Sequence, residues 1–466
     1  MLCRGESTGV FQVESRAQMS MLPRLRPQNY FDLVIEVAIV RPGPIQGGMV
    51  HPYLRRRQGL EKVTYPSAAV ETVLKRTLGI PIFQEQVMQL AMVAAGFTAG
   101  EADELRRAMA AWKRRGGLGH LKDKLTLGML ANGYTPEFAE SIYKQIAGFG
   151  TYGFPESHAA SFALLVYASA WLKRHHPAVF CCALLNSLPM GFYSASQLTQ
   201  DAQRNGVTVL PIDVTQSTWE SHMVPMPESV CHGQPMLRLG LRLVTGLKAE
   251  AGARIETARA QGQFQSVRDL VTRAQLDAGD SKVLANADAM RLLSGDRLHA
   301  LWDAGNASVP DLPLAPTANR DAAIPLNPLS LGQEALADFR STGLTLRAHP
   351  VSLVRAALKG TYRAADLHKV PSGRNIRVAG LVTCRQRPGT ASGVTFVTLE
   401  DETGNTNVVV WRDLAEKERI PLLSSRLMVV HGKLEHQGMV THLIAGHLEN
   451  VSHLLGALSV ASRNFH

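Results

Sequence analysis

The sequence predicts a multidomain α + β chain, mainly helical over its first two thirds and ending in a small β-barrel. Three observations predict it. Apolar residues recur at helical spacing between glycine and proline breaks through residues 1–190. Prolines crowd residues 307–330, at Pro310, Pro313, Pro316, Pro325 and Pro328. From about residue 374 the apolar period falls to two, the period of half-buried strands. A length of 466 residues suits about three domains. An apolar fraction of 45% with 19% charged residues allows sizeable cores.

Taken in order, residues 1–190 form the first predicted domain. Pro81 to Ala91 fits an amphipathic helix entered at its proline, and Pro136 to Ile146 fits another. Ala159 to Leu172 is mostly apolar and reads as a buried helix. Arg41-Pro42-Gly43-Pro44 cannot lie inside a helix and marks a turn. Residues 191–306 read as short helices with polar breaks. Within them, Gly240 to Lys248 followed by Ala251 to Ala258 has the outline of a helix-hairpin-helix. In that module backbone N–H groups of a glycine hairpin and a helix N-terminus hold a phosphate, here around Gly246 and Lys248. Lys248 stands where a second hairpin glycine would be, and the same residues fit a purely structural helical hairpin. Residues 307–345 are a linker by composition. Residues 346–466 hold five short strands, at 376–382, 394–399, 407–411, 427–430 and 440–445, which suit an OB-fold.

Charge points to a polyanionic partner. The formal net charge is +10. From Arg106 to Lys124 there are seven Lys or Arg against one acid, Asp123. Arg106 and Arg107 are adjacent in a helix-forming run, and Lys113, Arg114 and Arg115 follow. Planar guanidiniums on a rigid element bond phosphate oxygens bidentately. A solvated charged helix face would look the same in isolation. Arg55, Arg56 and Arg57, near Arg41, form a second basic cluster with no acid between residues 41 and 60. Two clusters, a hairpin module and an OB barrel together favour nucleic acid.

Other chemistry is harder to find. Gly148-Phe149-Gly150-Thr151-Tyr152-Gly153 matches G-x-G-x-x-G but follows a helix and precedes Pro155, so it reads as a glycine turn and not a dinucleotide loop. There is no P-loop, G-x-S-x-G or H-E-x-x-H sequence. Ser157-His158 lacks an evident orienting acid. Two-metal nucleotidyl transfer needs several carboxylates converging on ions about 3.5–4 Å apart. No Asp-x-Asp lies on a predicted strand, and Glu400-Asp401-Glu402 reads as a solvated turn. No metal ligand or catalytic residue is assigned. The five cysteines have no zinc-site spacing and suit reduced thiols in the cytoplasm. No apolar run reaches about 18 residues, so no membrane partner is expected.

In order along the chain come Gly9-Val10-Phe11-Gln12-Val13-Glu14-Ser15-Arg16, Arg41-Pro42-Gly43-Pro44-Ile45-Gln46-Gly47-Gly48, Phe83-Gln84-Glu85-Gln86-Val87-Met88, Leu105-Arg106-Arg107-Ala108-Met109 and Gly153-Phe154-Pro155-Glu156-Ser157-His158. This series resembles the fingers of bacterial C-family DNA polymerases, relatives of the polymerase III alpha subunit. Pro-Glu-Ser-His, Pro189-Met190-Gly191-Phe192-Tyr193 and the stretch from Gln386-Arg387-Pro388 to Phe396 resemble the damage-inducible, error-prone branch. The resemblance runs over nearly the whole chain.

The resemblance implies polymerase fingers in 1–190, helix-hairpin-helix in 191–306 and an OB-fold in 346–466. It implies error-prone DNA-directed synthesis across lesions, with Mg²⁺, deoxynucleoside triphosphates, a DNA primer-template and translesion accessory proteins. Arg106 and Arg107 would contact the triphosphate, with Arg41 and Arg16 nearby. Two departures stand out. Family members place a short glycine-lysine run after the arginine pair, where this chain has Ala110 to Gly117. Their metal-binding palm and PHP domain precede Gly9-Val10-Phe11-Gln12, which here lies close to Met1. The chain therefore reads as the C-terminal part of such an enzyme, inactive without the palm. The rivals are a non-catalytic DNA-binding or scaffold protein derived from a polymerase, and a basic RNA-binding OB protein.

Overall fold

The computed structural model describes every residue except 42–43, 46–47, 111–119, 150–154, 191–192, 226–233, 308–324, 389–392, 438–439, 457, 459–462 and 466. Lys113, Arg114, Arg115, most of the glycine run at 148–153 and the first prolines of the linker therefore lie outside the described residues. The chain divides into two compact units at Arg174/His175, residues 438–440 excepted.

The first unit is helical. α1 (Arg16–Leu25) starts at Ser15, whose hydroxyl accepts the Gln18 amide, and Gln18 accepts the Ser15 amide in return. α2 (Tyr30–Ile39) is buried at every position from Asp32 to Ile39, as a helix apolar nearly all round must be. Asp32 Oδ2 accepts the Gln28 amide at 2.8 Å and the Arg57 guanidinium at 2.7 Å, which closes the start of α2. Around it lie α3 (Val50–Arg57), α4 (Ala68–Leu74), α5 (Gln84–Ala95), α6 (Ala99–Ala110), α7 (His120–Ala131), α8 (Pro136–Phe149) and α9 (Glu156–His175).

Two helix expectations are corrected. The helix expected to open at Pro81 begins at Gln84, because Phe83 stays extended. Gln86 Oε1 accepts the amides of Ile82 and Phe83 at 2.9 and 3.2 Å, so their extended backbone is satisfied without helix. Gln86 Nε2 also donates to Thr77 and to the Val73 carbonyl, tying α5 to the end of α4. The helix expected to be buried, α9, buries one side: Ala159, Ala163, Val166 and Ala170, with Lys173, whose ammonium donates to the Thr8 carbonyl at 2.7 Å. Leu164, Leu165, Tyr167 and Trp171 are each exposed by 46–60%. Gly128 on α7 meets the end of α5 so closely that a Cβ would lie 2.2 Å from the Ala95 carbonyl oxygen.

The second unit begins before the expected boundary at residue 190. Pro177 starts α10 (Pro177–Asn186), whose Ala178, Cys181 and Leu185 pack with the hairpin core. α11 (Ala195–Arg204) follows. A small sheet not foreseen in this region pairs β1 (Val209–Leu210) and β2 (His222–Val224) with the central β3 (Met236–Arg238). Then come α12 (Ala249–Ala260), α13 (Val267–Arg273), α14 (Ala278–Asn286) and α15 (Arg297–Ala307).

The 307–345 stretch is more than a spacer. It carries α16 (Leu331–Thr342), which joins two cores. Its Asp338 meets the Arg297 guanidinium, 2% exposed, and Arg347 bridges Asp338 and Asp288. The Ser341 carbonyl accepts the Thr245 amide at 2.7 Å. On its other side Leu336 and Phe339 pack against barrel residues Ala379, Leu381, Leu427 and Val429.

The barrel comprises β4 (Asn375–Gln386), β5 (Thr395–Asp401), β6 (Gly404–Val410), β7 (Leu427–Gln437) and β8 (Val440–Asn450). Their order is β5-β6-β8-β7-β4, closed by the β4–β5 pairing, with β6 and β8 parallel. That closure is the OB-fold arrangement. An unexpected β9 (Arg463–Phe465) pairs parallel with the end of β4. Glu400-Asp401-Glu402 is no solvated turn. Glu400 and Asp401 are buried, Asp401 accepts the amides of Ala364, Thr403 and Gly404, and Glu402 pairs with Arg355. Those acids therefore serve the fold.

Two predictions follow from burial. Glu36 on α2 is fully buried, with no hydrogen-bond partner for either carboxylate oxygen among the described residues, and burial pushes its pKa well above the ordinary glutamate range. The folded state then holds a proton that the unfolded chain releases above about pH 4.3, so stability falls as pH rises. Glu36→Met is expected to stabilise the protein at neutral pH by about 1–3 kcal/mol and to flatten that decline in urea titrations at several pH values. Conversely, Asp338→Ala removes one of the two carboxylates facing buried Arg297, leaving Glu334 at 3.1 Å, and should cost about 1.5–3 kcal/mol in the same assay.

Candidate nucleotide and nucleic-acid interface

The best-defined candidate lies on α6. Thr98 and Glu101 open this helix reciprocally, the Thr98 amide donating to Glu101 Oε2 at 2.9 Å. Ala102, Leu105, Ala108 and Met109 face the core at helical spacing. Arg106 and Arg107 are left outside, with side chains 43% and 67% exposed. Both converge on Asp103. Its Oδ1 accepts from Arg106 Nε at 2.9 Å and lies 2.8 Å from Arg106 Nη2, while Oδ2 lies 3.1 Å from Arg107 Nε. The Arg106 hydrogen bond, then the charges of Arg106 and Arg107, hold the Asp103 carboxyl below its ordinary range. Nearby, Glu101 pairs with Lys124, which together with the Thr98 amide lowers its pKa to about 2. Glu101 therefore stays ionised and links α6 to α7. Asp103 escaped the sequence reading, although its i, i+3 and i+4 spacing to the arginine pair is a readable signal.

The other basic candidates divide. Arg16 is the first residue of α1 and half-buried. Arg41 donates from Nε to the Val37 carbonyl at 3.2 Å, which anchors it to the end of its own α2 helix. The Arg55-Arg56-Arg57 patch is corrected in part. Arg57 is committed to buried Asp32, and Arg56 to Glu61 and the Leu78 carbonyl at 2.9 and 2.8 Å. Arg55, 63% exposed, lies on the surface and pairs with Glu61 at 3.4 Å. The acids that neutralise this run lie outside the 41–60 window, at positions 32 and 61, so local charge counting missed them. His158 stacks on Phe162 at 4.2 Å between ring centroids, and the Ser157 carbonyl accepts the Ser161 hydroxyl one turn on. Glu156 instead ties α9 to its surroundings: its amide donates to Glu85 and its carboxylate pairs with Arg76.

In the second unit the stretch read as a hairpin turns at a left-handed glycine. Leu241–Leu243 forms a single 3-10 turn, and Gly246 takes φ +89°, which an L side chain rarely adopts. Lys248 is extended at the N-cap of α12, with no cap bond from its side chain. Gly246 and Lys248 are both exposed. On the barrel, strand alternation turns Phe396, Thr398, Asn405 and Asn407 outward on β5 and β6, and Trp411 just beyond β6 is 56% exposed. An exposed aromatic beside polar strand residues suits base stacking. Among the described residues no group of three or more His, Cys, Asp or Glu could hold a metal ion, so the Mg²⁺ that the resemblance implies has no ligands among them. No helix of the described chain is long and apolar enough to cross a membrane. Cys3, Cys181, Cys182 and Cys384 are free thiols.

Known proteins share this arrangement. Residues 1–133 match the bacterial DNA polymerase III alpha subunit finger domain, 206–300 the helix-hairpin-helix motif, and 376–451 the OB-fold nucleic acid binding domain. Finger, hairpin and barrel matches follow one another in this order along the chain. More particularly, it is similar along its whole length to proteins named error-prone DNA polymerase. Identity is 58% over 469 residues with the protein of Alkalilimnicola ehrlichii, 57% with that of Pseudomonas aeruginosa and 56% with that of Burkholderia pseudomallei. All of this chain is covered in each case, but only 44–45% of each relative. The chain thus spans a little under half the length of these relatives.

The hairpin geometry makes a direct prediction. Lys248→Ala should weaken binding to a primed DNA template and reduce the slope of log affinity against log salt by about 0.9, the value for one lost phosphate contact. Fluorescence anisotropy across a salt series measures it, and an unchanged slope would make the hairpin purely structural.

Proposed function

We propose that this chain is the fingers and DNA-binding portion of an error-prone DNA-directed DNA polymerase acting in damage-induced translesion synthesis. Its working parts are a finger unit that grips the incoming nucleotide, a hairpin region that holds duplex backbone, and a barrel that holds single-stranded template. Arg106 and Arg107 bind the triphosphate of a deoxynucleotide and offset charge on the phosphoryl oxygens as the primer grows. Arg41 and Arg16 border that nucleotide. Gly246 and Lys248 contact DNA phosphates, with Arg55 a further backbone contact. Mg²⁺ supplies the metal chemistry from ligands beyond these residues, and translesion accessory proteins join the assembly in the cytoplasm. One observation carries the reading: two adjacent, exposed guanidiniums on the finger helix already converge on a single oxyanion, the carboxylate of Asp103.

The test separates nucleotide from DNA. Arg106→Ala with Arg107→Ala should weaken dATP binding by about 10- to 100-fold, as the loss of charge-assisted hydrogen bonds requires. Affinity for primed DNA should change less than about threefold. If the double variant lost only salt-sensitive DNA binding, the arginines would be backbone contacts. A chain that bound DNA but no deoxynucleotide would be a DNA-binding or scaffold protein.

A further inference from the structure

We propose that Asp103 is a positioning residue that holds the place of a phosphate group between Arg106 and Arg107, and that an incoming triphosphate displaces it. The inference rests on the reading of that arginine pair as a triphosphate clamp. It adds an internal competitor, built into the same helix, that sets how tightly the clamp closes on a nucleotide.

The geometry argues for it in three ways. First, the carboxylate uses its oxygens separately, Oδ1 for Arg106 and Oδ2 for Arg107. Two oxygens of one phosphate would present themselves to two guanidiniums in the same manner. Second, the pairing is side-on. Arg107 is engaged through Nε, which leaves both of its Nη groups, and Arg106 is engaged through Nε and Nη2, which leaves Nη1. The two side chains are thus prearranged around one anionic point and keep donors for additional oxygens. Third, the carboxylate can yield. Asp103 is 46% exposed, and exposed ion pairs of this spacing are weak and exchangeable. The Arg297–Asp338 pair, at 2% and 9% exposure, has no such freedom. A triphosphate brings more charge and more acceptor oxygens than one carboxylate, so it displaces Asp103. Because Asp103 stays ionised well into acid, the competition persists across physiological pH. Glu101 is no substitute competitor, since it is held by Lys124 and Thr98.

The experiment measures equilibrium dATP binding, with Mg²⁺ present, to the full chain and to Asp103→Asn, at one fixed salt concentration. The same measurement is made in the Arg106→Ala/Arg107→Ala background. Removing the competitor is expected to tighten dATP binding by about two- to fivefold, the range set by exposed ion pairs. That gain should vanish in the background without the arginines, a coupling that a general change in helix stability would not produce. Circular dichroism of the variant checks that helix content is kept. Unchanged or weaker dATP binding by Asp103→Asn, or an equal gain without the arginines, overturns the proposal while leaving the clamp intact. If the unmodified chain binds dATP and the double arginine variant binds it equally well, the clamp itself falls, and this inference with it.

Discussion

The finger unit depends on a helix that has to be wrapped on every side. α2 offers Leu33, Val34, Ile35, Val37, Ala38 and Ile39 around its whole circumference, so the surrounding helices must close over it. That requirement fixes where the polar links sit. Asp32 reaches the amides that open α2 and the Arg57 guanidinium that approaches from α3. Gln86 satisfies the extended entry to α5 and reaches back to α4. The residues of the recognisable sequence motifs are thus largely occupied in holding the wrapping together. Among the residues that the wrap leaves on the outside of α6 are Asp103, Glu104, Arg106 and Arg107.

A second constraint governs the other unit. The hairpin and barrel each have a core of their own, and α16 packs Leu336 and Phe339 beside the barrel while Ser341 and Asp338 bond to the hairpin region. Arg297, Glu334, Asp338 and Arg347 form a charged cluster whose Arg297 and Asp338 are buried and whose Arg347 is 24% exposed. Such a cluster contributes little net stability but penalises any misplacement of α16 severely. Its consequence for function is geometric. The hairpin around Gly246 is bonded through Thr245 to Ser341 of the same helix that carries Leu336 and Phe339 onto the barrel. Hairpin and barrel therefore share one rigid support.

The finger, hairpin and barrel modules were legible from residues. Period-two alternation revealed the barrel strands, and all five expected strands occur, three of them longer than expected and two shifted, with Val394 and Trp411 just outside. Adjacent arginines in a helix-forming run identified the candidate clamp. Local reading failed where partners come from far along the chain. Arg56 and Arg57 looked like a free basic patch because Asp32 and Glu61 lie outside the run. Glu400 to Glu402 looked solvated because Ala364, Arg355 and His349 are remote in sequence. α9 looked buried because its apolar count does not tell which side its neighbours occupy.

By itself the sequence determined the order of modules, the barrel's alternation, the hairpin glycine and the arginine pair. These follow from local periodicity, backbone freedom and charge, all of which act over a few residues. Only the tertiary structure decided which of the many arginines face outward and which are spent on internal carboxylates. It also decided that the helix Leu331–Thr342, just after the proline-rich stretch, bonds to the hairpin region and packs beside the barrel. The physical reason is the same in both cases. Burial and ion pairing are set by residues brought together from distant parts of the chain, and no local pattern encodes that meeting.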